Sequence, residues 1–265
     1  MNYYQGYTPP VAMLANDWQP HLPEYPCIIQ HKLDGVRAFV SPSGSVYLGR
    51  KGSEIIHLRN QFGVPHVWLD GELYIPGKKL QYIAGLCNRL KPDNSTQQLE
   101  FHVFDIVGAA AQKDRIIKLM AVITNLPQVL PVPTTYTNSP WNAAAIYRKL
   151  PDDMEGLIYR HLDAPYQYGR TNFLLKRKKL HTNEYKCVGV VPGVGKFFGT
   201  LGAFTCVLPD SGIQFNVSAA ELTNRERNTM WNNPPFGKYI TVRYPNKSLN
   251  NIPLQAQFVA VREGE

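Results

Sequence analysis

A lysine acts as a covalent nucleophile only as its neutral amine. At an ordinary pKa near 10.4 it is almost wholly protonated at pH 7, so a nucleophilic lysine needs a site that favours the amine. One lysine in the chain stands in a suggestive setting, Lys32-Leu33-Asp34-Gly35-Val36-Arg37, a K-x-D-G-x-R pattern. Asp-Gly is turn chemistry, because Gly35 is free to take a positive φ. An isolated K-x-D-G is most often a hairpin with a surface lysine. With Arg37 added, chance occurrence in a chain this long is on the order of one in a few hundred. Further cations stand at Lys176, Arg177, Lys178 and Lys179. Such a run is ordinarily a solvated face or a nucleic-acid patch. Strand alternation puts Lys176 and Lys178 on one side and Arg177 and Lys179 on the other. The first pair can then share a cleft with Lys32 and favour its amine. Asp70 and Glu72, two residues apart on one predicted strand, can face one cleft together. The bland reading of Glu72 is a solvated acid on the polar face of a strand. Glu155, opening a buried strand ahead of Gly156, is less usual for a surface acid.

These residues need strands and turns to hold them. Cys27–Gln30, Val36–Val40 and Ser45–Leu48 read as the start of an antiparallel meander, with a Pro-Ser-Gly-Ser turn between the last two. His66–Ile75 alternates, with Val67, Leu69, Leu73 and Ile75 on one face and Asp70 and Glu72 on the other. Glu100–Val107 alternates too, Phe101 and Val103 lying opposite His102 and Phe104. Helices fit Lys79–Arg89, Lys113–Leu126 and Trp141–Leu150, the last opened by Ser139 as N-cap and Pro140 at the first helical position. A short helix is also expected around Val11–Asn16, within a proline-rich opening segment. After about residue 183 the texture changes. Tyr185–Val191, Ala203–Leu208, Ile213–Val217, Tyr239–Tyr244 and Gln257–Val261 are short strands with glycine-rich turns. A helix starting at Ser218, with Glu221 completing a capping box, is expected between the third and fourth. The pattern predicts a separate Greek-key barrel of OB type in preference to one continuous mixed sheet.

The 265 residues are 44% apolar and 18% charged, a globular composition with length for one large core or two modest ones. Lys+Arg 28 against Asp+Glu 20 leaves a formal net charge of +8, which points to a polyanionic partner. No apolar run reaches the roughly 18 residues of a membrane span. The opening MNYYQGYTPP lacks the basic start and apolar stretch of a signal peptide. Cys27, Cys87, Cys187 and Cys206 form no CxxC pair, which argues against a zinc knuckle or a disulfide framework. A soluble protein of a reducing compartment, the cytoplasm, is the expectation.

Lys32–Arg37 resembles the first motif of the covalent nucleotidyltransferases, the superfamily of DNA ligases, RNA ligases and mRNA capping enzymes. Further segments resemble its later motifs in the same order. They are Arg50-Lys51-Gly52, Leu69–Tyr74 (LDGELY), Phe101–Ile106 (FHVFDI), Glu155–Arg160 (EGLIYR) and Leu174–Lys178 (LLKRK). Pro165–Arg170 (PYQYGR), leading into the last of these, resembles ATP-dependent DNA ligases. Capping enzymes tend to carry an aromatic between the two final lysines, where this chain has Arg177. Gly195–Gly202 and Gly237–Tyr244 resemble the OB domain of small phage, viral and bacterial ligases. The likeness covers nearly the whole chain. Only 31 residues precede Lys32, so no additional N-terminal DNA-binding domain is expected, nor the nicotinamide-recognition domain of NAD-dependent ligases. The implied fold class is α+β. An adenylyltransferase (nucleotidyltransferase) domain of antiparallel sheets with flanking helices, 1–183, precedes an all-β OB-fold domain, 184–265.

The resemblance to minimal ATP-dependent DNA ligases also implies roles. Lys32 takes AMP from ATP, and Lys176 and Lys178 stabilise the transferring phosphate. Gln30, His31, Arg37, Glu72 and Phe104 line the nucleotide, with Arg37 and Glu72 at the ribose and Phe104 stacked on adenine. Glu155, with Glu72, holds Mg²⁺ or Mn²⁺. Arg50 and Arg170 contact the nick, Arg177 and Lys179 the duplex phosphates, and Arg262 the pyrophosphate. ATP and a divalent cation are the implied cofactors and nicked duplex DNA the implied partner, for a monomer that needs no membrane. Three departures stand out. The family's last motif, roughly Arg-x-Asp-Lys, is here Arg262-Glu263-Gly264-Glu265. A Leu-Pro-Asp-Ser-Gly turn joins Val207 to Ile213, where some viral ligases insert a long DNA latch. The periplasmic signal of related bacterial enzymes is not seen. Two other readings stay open, an RNA ligase or GTP-using capping enzyme with the same lysine chemistry, and a nucleic-acid-binding relative that has lost catalysis.

Overall fold

The computed structural model describes residues 8–49, 51–151 and 154–262. In the first unit, Met1–Lys178, the chain runs through β1 (Met13–Asp17), β2 (Cys27–Lys32), β3 (Val36–Val40), β4 (Val46–Leu48) and β5 (Leu69–Tyr74). Helix α1 (Leu80–Cys87), β6 (Glu100–Ile106), α2 (Gln112–Ile123), β7 (Val129–Pro131) and β8 (Thr134–Thr137) follow. Helix α3 (Pro140–Arg148), β9 (Gly156–His161) and β10 (Gly169–Lys178) complete it. The strands form two five-stranded sheets, ordered β1-β10-β9-β2-β8 and β4-β3-β5-β6-β7. Pairing is antiparallel except at β1/β10 and β6/β7.

The expected meander is broken at its first step. β3 pairs with β4, but β2 belongs to the other sheet, where it pairs with β9 and β8. Asp34-Gly35 therefore carries the chain from sheet to sheet and is not a hairpin turn. Gly35 is absent from the positive-φ residues. Its requirement is space, since a Cβ there would strike the Leu73 carbonyl oxygen and sit 2.8 Å from Glu72 Cγ. The short helix expected around Val11–Asn16 is also replaced, by β1. Its backbone pairs with β10, and Met13 is buried between Tyr166 and Leu174, so a long-range partner outcompetes local helical bonding. The expected helices correspond to α1, α2 and α3. Ser139 Oγ accepts from the Trp141 amide at 3.2 Å, with Pro140 at the first position.

Each sheet has one apolar face. Cys27, Ile29, Leu157, Tyr159 and Leu175 pack with Ala143 and Leu150 around α3. In the second sheet Ala38, Val40, Leu69, Leu73, Phe101 and Val103 pack with Ile83 of α1 and Leu119 of α2. The period of two then leaves Gln30, Lys32, Arg160, Lys176 and Lys178 on the opposite face of one sheet, and Arg37, Asp70 and Glu72 on that of the other. A slip of one residue would exchange core for cleft, so the packed faces hold the register. Asp105, fully buried, helps to join the sheets. It accepts from Arg115 at 2.9 and 3.1 Å and from Arg160 at 2.8 Å.

The second unit, Lys179–Glu265, runs β11 (His181–Pro192), β12 (Leu201–Val207), β13 (Gln214–Ser218), α4 (Asn224–Asn232) and β14 (Tyr239–Tyr244). Short strands β15 (Asn246–Lys247) and β16 (Pro253–Leu254) precede β17 (Gln257–Val261). β11-β12-β13-β17-β14 close a barrel around Phe204, Val217, Ile240 and Val242. This is the five-strand OB barrel that the sequence pattern predicts. Its helix starts later than expected. Thr223 is the N-cap and Glu226 completes the capping box, with Glu226 accepting from the Thr223 amide at 2.7 Å. Ser218 is instead the last residue of β13, paired with Gln257, and Glu221 takes Arg243 at 2.8 Å. The units divide at Lys178/Lys179, slightly ahead of the expected 183/184, because β11 already begins at His181. All four cysteines are buried and free. Among the described residues, no helix is long and apolar enough to cross a membrane.

Candidate active site

Three neighbouring strands assemble the centre of the site. Lys32 ends β2, Gly156 opens β9 and Lys178 ends β10, and the register pairs Gly156 with both lysines. The lysines thus flank a residue without a side chain. That spacing is imposed by the backbone, since a Cβ at position 156 would strike the Arg177 carbonyl oxygen and lie 2.8 Å from Lys178 Cα. Glu155 fills the gap. Its amide donates to the Lys32 carbonyl at 3.1 Å. Its carboxylate pairs with Lys32 Nζ through Oε2 and with Lys178 Nζ through Oε1 at 3.3 Å. The Glu155 side chain is 10% exposed and the two lysines 22% and 26%, so these charges interact in a partly dehydrated cleft. Lys176 Nζ lies 3.4 Å from Asp17 Oδ1, a partner that sequence reasoning missed.

Arg37 faces them from the second sheet. It donates to Asp70 through Nε at 2.9 Å and Nη2 at 2.5 Å, and to the Met13 carbonyl at 2.6 Å. Burial works against its charge, and the Asp70 contact outweighs it, so its pKa is raised. The Tyr166 hydroxyl donates to Asp70 at 2.6 Å. Burial first, and then the Asp70 charge, hold that phenol above its ordinary range. The Glu72 carboxyl is pushed up to about 7 by burial, opposed by Lys32 and Arg37 and reinforced by Glu155 and Asp70.

The other sequence-predicted residues divide into those brought to this cleft and those that are not. Phe104 is brought there, with the Arg160 and Arg37 guanidinium carbons 5.2 and 5.3 Å from its ring centroid. Gln30 is buried behind it. Gln30 donates to the Phe104 carbonyl at 3.1 Å and to Thr134 at 3.0 Å, and accepts from Arg160 at 2.6 Å. These bonds make it a brace for the Phe104 strand. His31 falls on the opposite face of β2, shared with Cys27 and Ile29. Arg170 is exposed and donates to the Ala15 carbonyl at 2.7 Å, tying down β1. Arg177, expected at duplex phosphates, is instead enclosed by Trp18 and Tyr147. Lys179 lies past the end of β10 in the second unit. There too, Arg262 pairs with Glu184, and its amide donates to the Tyr239 carbonyl at 2.8 Å. Arg50 and Glu263–Glu265 lie outside the described residues.

Among the described residues no cluster of three or more metal-binding side chains forms a ready-made cage. Glu155 and Glu72 instead offer isolated carboxylates. That donor set fits Mg²⁺, which usually takes one or two carboxylates and completes its shell with water and substrate phosphates. A lysine touching a carboxylate, with further lysines on its face and an arginine opposite, is an arrangement for nucleophilic attack on a phosphate.

Residues 192–262 match the family model described as the DNA ligase OB-like domain. The chain is 31% identical over 272 residues to the DNA ligase of African swine fever virus (isolate Tick/South Africa/Pretoriuskop Pr4/1996), covering 89% of this chain. It spans 63% of that relative's length. Against a DNA ligase of Haemophilus influenzae (strain ATCC 51907 / DSM 11121 / KW20 / Rd) it is 28% identical over 231 residues, covering 82% of this chain and 80% of the other. A solved Lig E DNA ligase matches with a TM-score of 0.76 at 23% identity, over 95% of this chain and 99% of that one. Chlorella virus DNA ligase-adenylate matches with a TM-score of 0.57 at 19% identity, over 97% and 99%. The fold is therefore the one seen in these solved DNA ligases, an α+β unit followed by an OB barrel. The proteins this sequence resembles are DNA ligases.

Proposed function

We propose that the protein is an ATP-dependent DNA ligase that seals nicks in duplex DNA. The observation that carries this reading is the Lys32–Glu155–Lys178 constellation facing Arg37 and Glu72, in a chain that resembles DNA ligases in sequence and fold. Lys32 Nζ attacks the α-phosphorus of ATP, releasing pyrophosphate and forming a lysyl-AMP phosphoramidate. AMP passes to the 5′-phosphate of the nick, and the adjacent 3′-hydroxyl displaces it to form the phosphodiester. The proton that Lys32 must lose has an acceptor in contact, Glu155 Oε2. Lys178 and Lys176, on the same face, neutralise charge on the transferring group, in chemistry that depends mostly on positioning and electrostatics. Arg37, fixed by Asp70 and Met13, and Glu72 stand for the ribose, and Phe104 for adenine. Glu155 and Glu72 would hold Mg²⁺, which would supply Lewis-acid stabilisation of phosphoryl oxygens. The enzyme acts as a monomer on DNA held through its backbone.

The test is incubation with α-labelled ATP or GTP and Mg²⁺, after bound AMP has been stripped with pyrophosphate. Label from ATP alone, absent in Lys32→Ala and discharged by a nicked DNA duplex, is the expected result. Label from GTP would favour the capping reading, and sealing restricted to RNA strands an RNA ligase. No label on a stripped, folded sample would sink the self-charging ligase.

A further inference from the structure

Arg177 lies between Lys176 and Lys178 in sequence but on the other face of β10, the face of Leu175 and α3. Its guanidinium carbon is 3.7 Å from the Tyr147 ring centroid and 4.1 Å from that of Trp18, well within the roughly 6 Å reach of a cation–π contact. It is also hydrogen-bonded to Tyr159. The two aromatic residues that enclose it hold the backbone on either side as well. The Trp18 amide donates to the Lys176 carbonyl at 3.0 Å, and the Tyr147 hydroxyl donates to the Lys178 carbonyl at 3.0 Å. β1 ends at Asp17, opposite Lys176. Beyond that point these two bonds take over from the strand partner at the edge of β10.

We propose that Arg177 is a positioning residue for the lysine pair. Stacked between Trp18 and Tyr147, it locks the end of β10 so that Lys178 reaches Glu155 beside Lys32, while Lys176 keeps its place near Asp17. The inference rests on the lysyl-AMP reading and replaces the expectation that Arg177 binds duplex phosphates. A planar guanidinium stacks on a ring at each face, which an ammonium does not reproduce. Misplacing a reacting group by about 1 Å costs as much as roughly 100-fold in rate.

The test measures single-turnover lysyl-AMP formation in the full-length protein, reading rate constant and amplitude separately, and the salt dependence of duplex binding. Arg177→Met and Trp18→Leu are expected to lower the rate constant by roughly 10- to 100-fold with the amplitude kept. Arg177→Lys should fail to restore it. Tyr147→Phe, which keeps the ring and loses only the hydroxyl, should have a smaller effect and serves if the larger changes impair folding. The salt slope should be unchanged. A normal rate constant in Arg177→Met, or a slope reduced by about one as for a lost phosphate contact, would overturn the proposal. So would a loss of amplitude alone across all four variants, the mark of a purely structural role. Failure of the wild-type protein to form any adduct would remove the ligase reading and this inference together. Normal wild-type labelling with unaffected variants would remove only this one.

Discussion

Glu72 carries its carboxyl at about 7, against an ordinary value of 4.5, chiefly because its half-buried site desolvates the charge. Between those values the folded protein keeps a proton that the unfolded chain has released. Stability from this residue therefore declines as pH rises through that window. Glu72→Gln is expected to be more stable than wild type by about 3 kcal/mol at pH 8 and nearly equal to it at pH 4. Urea unfolding at the two pH values checks the difference. A second prediction at this scale concerns Asp105, which satisfies Arg115 and Arg160 in the interior. Asp105→Asn leaves both cations with a neutral partner and should cost about 3–5 kcal/mol, read from denaturant unfolding. The residues of the site were legible to different degrees. Lys32, Glu155 and Lys178 lie in short motifs whose types announce phosphate chemistry. Asp17 lies in no such motif, and Tyr166 and Arg160 lie in motif segments that leave their roles unstated, because those roles come from partners far along the chain.

At the level of elements, the three-strand row Lys32–Gly156–Lys178 depends on a close approach of β9 to β10. Gly156→Ala forces a Cβ into the Arg177 carbonyl, so the strands must separate where the lysines are held. The variant is expected to lose roughly 2–4 kcal/mol of stability and most of its lysyl-AMP formation, by urea unfolding and by label incorporation. Alternation separated Lys176 and Lys178 from Arg177 in the sequence, but did not reveal that the Arg177 side packs with Leu175 toward α3. Pairing partners were less accessible. The Asp34-Gly35 step looked like a hairpin because the same dipeptide suits a turn or a crossing, and only the close passage of β5 separates the two. The α4 cap was misplaced for a related reason. Ser218 and Thr223 both start cap-like patterns, and the barrel's need for Ser218 in β13 decides between them.

For the whole molecule, the net charge of +8 is distributed over a chain proposed to grip DNA by its backbone. Duplex affinity should fall linearly with salt on logarithmic axes, with the same slope for two unrelated sequences. A protein neutralising about six phosphates loses roughly 10³-fold between 50 and 200 mM salt. Fluorescence titration of two labelled duplexes across that range checks it. A sequence-dependent slope would contradict backbone recognition.

The sequence by itself determined the local grammar of the protein. Hydrophobic alternation set most strands and their core faces, Ser139-Pro140 set the start of α3, and motif order pointed to the class of chemistry proposed. These depend on neighbours within a few residues, so they can be read along the chain. Only the tertiary structure decided which strands share a sheet, that β1 is a strand, and that Arg177 is enclosed by aromatic rings. Those outcomes turn on contacts between distant segments competing for the same backbone groups and side chains. Strand β10 offers its edge to β1, and a local helix loses because it leaves that edge unpaired.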